Sequence, residues 1–142
     1  MPRVYFSLRE ANETVQQIKH TATRIIQLRD ELELIDNTKI EFENDNMENY
    51  LLEVELNKNF HEKNLELYTM LGELIKMGCI IRDLDDFEID FYSKFEKKDI
   101  AFCWVPGDDK IMHWHMIGEN MSQRKPISDI EKKYFEELKK LR

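Results

Sequence analysis

The sequence predicts an α+β fold, a long antiparallel helical hairpin packed with a small, mostly antiparallel sheet, plus a C-terminal helix. Two observations lead to this prediction. Up to residue 77 the apolar side chains recur every three or four residues, the period of an amphipathic α-helix. From residue 79 polar and apolar side chains alternate, the period of a half-buried strand. We expect a single domain over residues 1–142: a short strand and the hairpin (1–78), the small sheet and a loop (79–127), and the C-terminal helix (128–142).

The first helix is predicted over residues 8–35. Residues 4–6, Val-Tyr-Phe, favour a short strand before it. Ser7 and Glu10 have the spacing of a capping box, in which each side chain accepts a hydrogen bond from the other residue's backbone amide. The apolar positions then form a stripe typical of a coiled coil: Leu8, Ala11, Val15, Ile18, Ala22 and Ile25. Near Arg29 the apolar positions shift to Leu28, Leu32 and Ile35.

A second helix is predicted over residues 47–77, after a polar connection at residues 37–46. Its main apolar stripe contains Leu52, Leu56, Phe60, Leu67, Leu71 and Leu74. Beside it runs a second stripe that is polar in the middle: Tyr50, Val54, Asn57, His61, Asn64 and Tyr68. Gly78 is placed to end the helix in a left-handed conformation. Two helices of similar length with a short link are expected to pack as an antiparallel hairpin.

Strands are predicted at residues 79–82, 88–92, 100–105 and 110–117. A four-residue turn, Pro-Gly-Asp-Asp, joins the last two strands and fixes their register in this prediction. Alternation then places Trp104, His113 and His115 on one face of the sheet. Cys103 points to the opposite face, which argues against a nucleophile pair of Cys103 and His115.

The rest of the chain is expected to close the sheet. Residues 93–98 predict a charged turn, and residues 118–126 predict an ordered loop because they are rich in turn-forming residues. Ser128 and Glu131 repeat the spacing of a capping box, which predicts the start of a helix that extends to about Leu141.

Charge and cysteine content exclude several classes of function. A net charge of −8 argues against a binder of nucleic acid or of anionic membranes, because both need a basic face. Residues 41–66 carry eight acidic residues and two lysines, which is typical of a solvated helix face and, less often, of a docking face for a basic partner. Cys79 and Cys103 form no disulfide framework. With no signal-peptide pattern and no apolar run near the roughly 20 residues of a membrane span, we expect a cytoplasmic protein with free thiols.

The candidate ligand site consists of Trp104, His115 and Arg124. His115 would serve as the acid–base group and Arg124 would hold an anion, although an arginine in such a loop more often ties the loop to the protein. His113 and His115 are weak candidates for metal ligands, because zinc needs a further protein ligand that the spacing does not select. The reserves for that ligand are Asp83, Asp85, Asp90 and His61. No catalytic residue and no cofactor are predicted, since the motifs of phosphate loops, nucleophile elbows and zinc proteases are missing.

Three blocks of sequence carry a family resemblance. They are residues 5–12, YFSLREAN; then Gly78, Arg82-Asp83-Leu84 and Ile89-Asp90-Phe91; then Cys103-Trp104, Gly107-Asp108, Trp114-His115, Arg124 and Pro126-Ile127. In order and spacing these blocks resemble an uncharacterised prokaryotic family, catalogued as domain of unknown function 2203. The chain departs from the family pattern at Met116, where glutamate is usual, at Phe87 and Asn120, where glycine is usual, and at His113, where an aromatic residue is usual. The resemblance implies a fold and a set of marked residues, and it implies no activity.

Two functions remain open from the sequence. We expect a protein that is not an enzyme and that self-associates, as a dimer through the hairpin, or binds a protein partner. Apolar residues on more than one side of the second helix favour this function, because a small sheet cannot cover them all. The alternative is a site for a small anionic ligand or for hydrolysis around Trp104, His115 and Arg124, with or without a metal.

Overall fold

The computed structural model describes residues 3–41, 47–119 and 121–141. In chain order the elements are α1 (Leu8–Glu41), α2 (Met47–Lys76), β1 (Ile80–Asp83), β2 (Glu88–Phe95), β3 (Lys98–Trp104), β4 (His113–Met116), a 3-10 turn (Met121–Gln123), β5 (Lys125–Pro126) and α3 (Ser128–Lys140). The sheet has the order β1-β2-β3-β4-β5, and every neighbouring pair is antiparallel. The α+β prediction is confirmed.

The chain divides into two compact units, one made of Met1–Lys19 with Ile75–Arg142 and the other of His20–Leu74. We call them the sheet unit and the helical unit. That they form one domain stays a prediction. No helix in the described part of the chain is both long and apolar enough to cross a membrane.

In the helical unit α1 and α2 pack as the predicted antiparallel hairpin. The buried side chains are apolar and follow the predicted stripes: Ala22, Ile25, Leu28, Leu32 and Ile35 from α1, and Leu67 and Leu74 from α2. Ion pairs link the helices at their edges, from Arg24 to Glu66 at 3.0 Å and from Lys63 to Glu31 at 2.7 Å. Of the predicted connection at residues 37–46, residues 37–41 continue α1 and residues 42–46 lie outside the described residues.

The first turn of α1 has the predicted capping box. The Glu10 amide donates to Ser7 Oγ and the Ser7 amide donates to Glu10 Oε1, each at 3.1 Å. The predicted strand at residues 4–6 is wrong, because the segment makes no strand ladder before the chain enters the helix. Instead, the Phe6 amide donates to the Tyr92 carbonyl at 2.7 Å, and Ser93 Oγ donates to the Phe6 carbonyl.

A tight turn joins β2 and β3. Its two residues, Glu96 and Lys97, have φ values of 52° and 65°, the left-handed conformation that a two-residue hairpin turn requires. Phe95 and Lys98 are therefore paired strand residues, and the predicted turn at residues 93–98 is too long. The terminator predicted at Gly78 is confirmed, since this residue has a φ of +94° after the last turn of α2.

The predicted register of β3 and β4 is wrong by one residue. Cys103 pairs with His113 and Ala101 pairs with His115. The cause is the connection, which runs over residues 105–112 in place of a four-residue turn. Ile111 is buried and its amide donates to Asn12 Oδ1 at 2.9 Å, so this residue contacts α1 and does not pair with β3.

The corrected register gives the sheet two different faces. The apolar face carries Ile89, Phe91, Ile100, Phe102, Trp104 and Trp114. Rings on this face stack edge to face: the Phe6 and Phe91 centroids lie 5.2 Å apart, and those of Phe95 and Tyr134 in α3 lie 6.4 Å apart. The opposite face carries Glu88, Asp90, Cys103, His113 and His115, and we call it the polar face.

The C-terminal part differs from its prediction in two respects. The expected loop at residues 118–126 contains β5, which pairs with β4 and which the sequence analysis missed. The second capping box is wrong, because Ser128 is already the first helical residue and the N-cap position is Ile127, which makes no side-chain cap. Asn120 lies outside the described residues.

Candidate functional site

Three neighbouring strands place ionisable side chains on the polar face. Glu88 and Asp90 are two residues apart in β2, so both side chains point to the same side. Cys103 of β3 pairs directly with Asp90. These three side chains are at most 5% exposed, and so is His115 of β4. Charged groups are rarely buried to this degree without partners, so each polar atom of these side chains is expected to have a hydrogen-bond or ionic partner.

His115 uses both ring nitrogens. Nδ1 lies 2.9 Å from the Met116 carbonyl oxygen, which can only accept, so Nδ1 carries a proton. Nε2 lies 3.0 Å from Asp90 Oδ2, and a proton between these two atoms is needed to make that contact favourable. The hydrogen bond to Asp90 raises the pKa of His115 above its ordinary value, against the effect of burial. His115 and Asp90 therefore form a buried, hydrogen-bonded pair.

The two carboxylate oxygens of Asp90 have different surroundings. Oδ2 accepts from His115 and lies 3.6 Å from Nη1 of Arg82. Oδ1 is buried and has no hydrogen-bond partner among the described residues. A buried carboxylate oxygen without a partner costs free energy, so this atom marks either a strained position or a site for a further group.

Glu88 and Cys103 complete the buried cluster. Cys103 Sγ lies 3.8 Å from Glu88 Oε2 and donates to it. Burial, together with the neighbouring Asp90 carboxylate, raises the pKa of the Glu88 carboxyl group. Burial and the same two carboxylates raise the pKa of the Cys103 thiol to about 12. The Cys103 thiol is therefore protonated at neutral pH and is a poor nucleophile.

A cavity of about 810 Å³ opens beside this cluster, within the range of roughly 300–1,000 Å³ that is usual for small-molecule sites. Its charged lining residues are Arg82, Arg124, Asp83, Asp86, Glu88 and Asp108. His113 also lines it, and burial and the nearby Arg124 guanidinium lower the pKa of that imidazole. The cavity thus offers two guanidinium groups, four carboxyl groups and a neutral imidazole, and Glu88 connects it to the buried cluster.

The family model described as an uncharacterized conserved protein, DUF2203, matches residues 4–127. The chain belongs to DUF2203. No curated protein and no solved structure matches it. The blocks of sequence that carry the resemblance to DUF2203 meet in the fold: they supply Arg82, Asp90, Cys103, His115 and Arg124 to the polar face and its cavity.

The structure separates the residues of the predicted ligand site. His115 lies on the polar face of this DUF2203 protein and Arg124 is an exposed residue of the cavity wall. Trp104 is on the apolar face and 1% exposed, because the register differs from the predicted one. Its indole N–H donates to the Asp108 carbonyl at 2.9 Å, so it fixes the loop that brings Asp108 to the cavity. Trp104 contributes to the site through this loop only.

His113 and His115 do lie on one face, as predicted, but the surroundings of His115 disfavour a pair of metal ligands. Both nitrogens of His115 are engaged in hydrogen bonds. The geometric argument against a Cys103–His115 nucleophile pair is also wrong, since these residues share a face. The same engagement of His115 and the high pKa of the Cys103 thiol disfavour that pair for a different reason.

Sequence reasoning missed Arg82 and Glu88 as site residues and treated Asp90 only as a reserve ligand. A signal was available for two of them, because Arg82 and Asp90 stand in the second block that resembles DUF2203. Glu88 carries no such mark. It is found only from the correct pairing of β2 and β3, which places it on the same face as Asp90 and Cys103.

Proposed function

We propose that this DUF2203 protein binds a small molecule with an anionic group in the cavity beside the polar face. The observation that carries the proposal is that Arg82, before the turn into β2, and Arg124, next to β5, line one cavity although they are far apart in sequence. Guanidinium groups are preferred partners of carboxylates and phosphates because they donate two parallel hydrogen bonds.

The other lining residues restrict the ligand further. Asp83, Asp86 and Asp108 add negative charge to the same wall, so a ligand with several anionic groups is repelled. Carboxylates accept hydrogen bonds from hydroxyl and ammonium groups. We therefore propose a ligand in which one anionic group lies beside hydroxyl or amino groups.

Binding, rather than hydrolysis, is the function that this geometry favours. A general base needs a nitrogen or oxygen that is available to the substrate. His115, the acid–base group predicted from the sequence, has neither ring nitrogen available, and Cys103 is a buried thiol with a raised pKa. We propose no reaction at this site.

The proposal is tested by titrating the protein with glycerol 3-phosphate and with inorganic phosphate, followed by NMR shifts of the amides of Val105, Gly107 and Asp108. We expect saturable binding of both, and tighter binding of glycerol 3-phosphate because its hydroxyl groups reach the carboxylates. Arg124→Ala should weaken both at least about tenfold, a loss of about 1.4 kcal/mol, since a charge-assisted contact is removed.

Arg9→Ala is the matched control, because it removes the same charge from an exposed position of α1 whose ion-pair partner is Glu13. Arg124→Lys separates charge from shape: it should bind more weakly than wild type if the planar guanidinium matters. Equal weakening by Arg9→Ala and Arg124→Ala would show a general charge effect and would refute the cavity as the site.

A second candidate function is self-association of the helical unit into a dimer, as a coiled coil between copies. It is favoured by Tyr50, Val54, Leu65 and Tyr68 on one stripe of α2, which are 47% to 69% exposed. We call them the exposed stripe. The exposed stripe is apolar at both ends and polar at Asn57 and His61 in the middle. This order suits a two-fold dimer, because antiparallel pairing of two copies brings each apolar end of one copy against an apolar end of the other.

Light scattering coupled to size exclusion at micromolar concentration tests this candidate. We expect twice the 17.2 kDa chain mass for wild type and the single mass for the double variant Val54→Asp with Leu65→Asp. Asn59→Asp is the control, because it adds a charge at an exposed position of α2 outside the exposed stripe. A wild-type mass of one chain would contradict self-association. A cytoplasmic location, supported by the free and buried Cys79 and Cys103, completes the proposal.

A further inference from the structure

Three side chains that commonly bind metals meet inside the polar face. One ligand atom each from Glu88, Asp90 and Cys103 lies within 4.8 Å of the other two. All three residues are buried, at 5%, 2% and 2% exposure. They come from two paired strands of the sheet, which hold ligands more precisely than loops do.

A cluster of this kind is not a site by itself, but Asp90 supplies an independent observation. Its Oδ1 atom is fully buried and has no hydrogen-bond partner among the described residues. Its other oxygen is occupied by His115 at 3.0 Å. One oxygen is thus oriented by a hydrogen bond and the other is left for a ligand, which is the usual arrangement of a carboxylate that binds a metal.

We propose that Glu88, Asp90 and Cys103 form a site for a divalent transition metal, with Zn²⁺ as the preferred ion. A sulfur ligand disfavours Mg²⁺ and Ca²⁺, which take oxygen ligands, and it suits zinc. In a tetrahedral zinc site the ligand atoms lie roughly 3.3–3.8 Å apart, given metal–ligand distances of about 2.0–2.3 Å. The distance of 3.8 Å between Cys103 Sγ and Glu88 Oε2 lies within this range, and all three ligand atoms lie within 4.8 Å of one another.

Charge and protons balance in such a site. The Cys103 S–H bond breaks, its proton leaves to solvent, and an S–Zn bond forms. Two carboxylates and one thiolate then hold the cation with a net charge of −1, beside the Arg82 guanidinium at 3.6 Å from Asp90. The cation also relieves the repulsion between the two carboxylates. Glu88 also lines the cavity, and a zinc ion with three protein ligands keeps a fourth position for water.

His115 has a defined part in this proposal. It binds Asp90 Oδ2 through Nε2 and the Met116 carbonyl through Nδ1, and so it fixes the orientation of the carboxylate. We therefore class it as a positioning residue. Partners of this kind typically contribute a factor of 10 to 100 to metal affinity.

The test uses Co²⁺ as a spectroscopic substitute for zinc on the full chain. We expect one Co²⁺ per chain, a sulfur-to-cobalt charge-transfer band, the visible bands of tetrahedral cobalt, and displacement by Zn²⁺. Cys103→Ser should abolish the charge-transfer band, and Asp90→Asn should weaken binding at least about tenfold. His115→Gln should weaken it roughly 10- to 100-fold while the band remains.

Cys79→Ser is the matched control, because Cys79 is the other buried free thiol and is not part of the cluster. It should leave the cobalt spectrum unchanged. The inference is overturned if wild-type protein binds no Co²⁺ or Zn²⁺ saturably, if bound cobalt shows no sulfur band, or if Cys103→Ser and Asp90→Asn bind as wild type does. If either variant fails to fold by circular dichroism, the wild-type spectrum and its displacement by Zn²⁺ still decide the question.

This inference goes beyond the proposed ligand cavity and does not rest on it. The cobalt titration contains no phosphate or other small anion, so it reports on the metal site alone. The phosphate titrations are run with a chelator present, so they report on Arg124 and the cavity alone. One proposal can therefore fail while the other holds.

Discussion

The helical unit and the sheet unit bury different kinds of side chain. Between residues 20 and 74, the buried side chains of the described residues are all apolar, and the ion pairs lie at the edges. In the sheet, the apolar face is backed by a polar face that buries Glu88, Asp90 and His115. Burial of apolar side chains stabilises a fold, whereas burial of charged groups costs free energy, so the polar face calls for another explanation.

The ion pairs show the same contrast. Arg24 and Glu66 are 34% and 41% exposed, and such pairs contribute about 0–1 kcal/mol. His115 and Asp90 are 3% and 2% exposed, and the cost of removing both charges from water offsets much of their attraction. A buried pair is thus weak evidence for stability. Its position beside a cavity favours a function, and we expect stability to depend on the helices and the apolar face.

The largest effect is expected when the apolar face is broken. Phe91 is fully buried and its ring contacts Phe6, so Phe91→Ala leaves a large cavity and should lower the free energy of unfolding by about 3–5 kcal/mol. Urea unfolding followed by circular dichroism measures this change. The neighbouring Tyr92 is half-buried on the other face, and Tyr92→Ala should cost clearly less. Equal costs for the two variants would remove the distinction between the faces.

The next largest effect concerns the helical unit, where two leucines of α2 differ in burial. Leu67 is 4% exposed and Leu65 is 69% exposed. Leu67→Ala should lower the free energy of unfolding by about 2–5 kcal/mol, and Leu65→Ala should change it by no more than about 0.5 kcal/mol in a monomer. The same urea experiment at low protein concentration compares them. A large cost for Leu65→Ala that grows with protein concentration would instead indicate that the exposed stripe is covered by a second copy.

A smaller effect distinguishes two segments that have the same capping-box spacing in the sequence, of which only the first forms a capping box. Ser7 accepts a hydrogen bond from the Glu10 amide, whereas Ser128 makes no cap because it lies inside the first turn of α3. Ser7→Ala should therefore lower the free energy of unfolding by about 1 kcal/mol, and Ser128→Ala should leave it nearly unchanged. Thermal unfolding of both variants side by side measures the difference. Comparable losses would mean that Ser128 does cap α3.

The contrast between the units also explains what could be predicted from the sequence. Helix burial depends on spacing within one segment, so the stripe from Ala11 to Ile35 was predicted correctly from the sequence alone. The β2–β3 and β3–β4 pairings depend on the turns between them. The connection at residues 105–112 is ordered by distant groups, such as Asn12, which bonds the Ile111 amide. A contact between residues so far apart in the sequence cannot be predicted from local sequence patterns.

The consequence for the site follows from strand geometry. A register error of one residue exchanges the two faces of a strand. It placed Trp104 with the histidines and separated Cys103 from them, whereas Cys103 in fact pairs with His113. The composition of the site was partly predictable, since His115 and Arg124 were among the candidates. The cluster of Glu88, Asp90 and Cys103 was not, because it depends on the register.

The smallest effect is expected in the turn between β2 and β3, where a substitution should stabilise the protein. Lys97 has a φ of 65°, a conformation that costs a residue with a side chain about 1–2 kcal/mol and costs glycine almost nothing. Glycine also loses more chain entropy on folding, by roughly 0.5–1 kcal/mol, so Lys97→Gly should raise the free energy of unfolding by about 0.5 kcal/mol. The control is Lys98→Gly in the first position of β3, which has no such strain to relieve and should lower stability. Urea midpoints measured in parallel compare the two signs, and a loss of stability in Lys97→Gly would show that the turn is not strained at this residue.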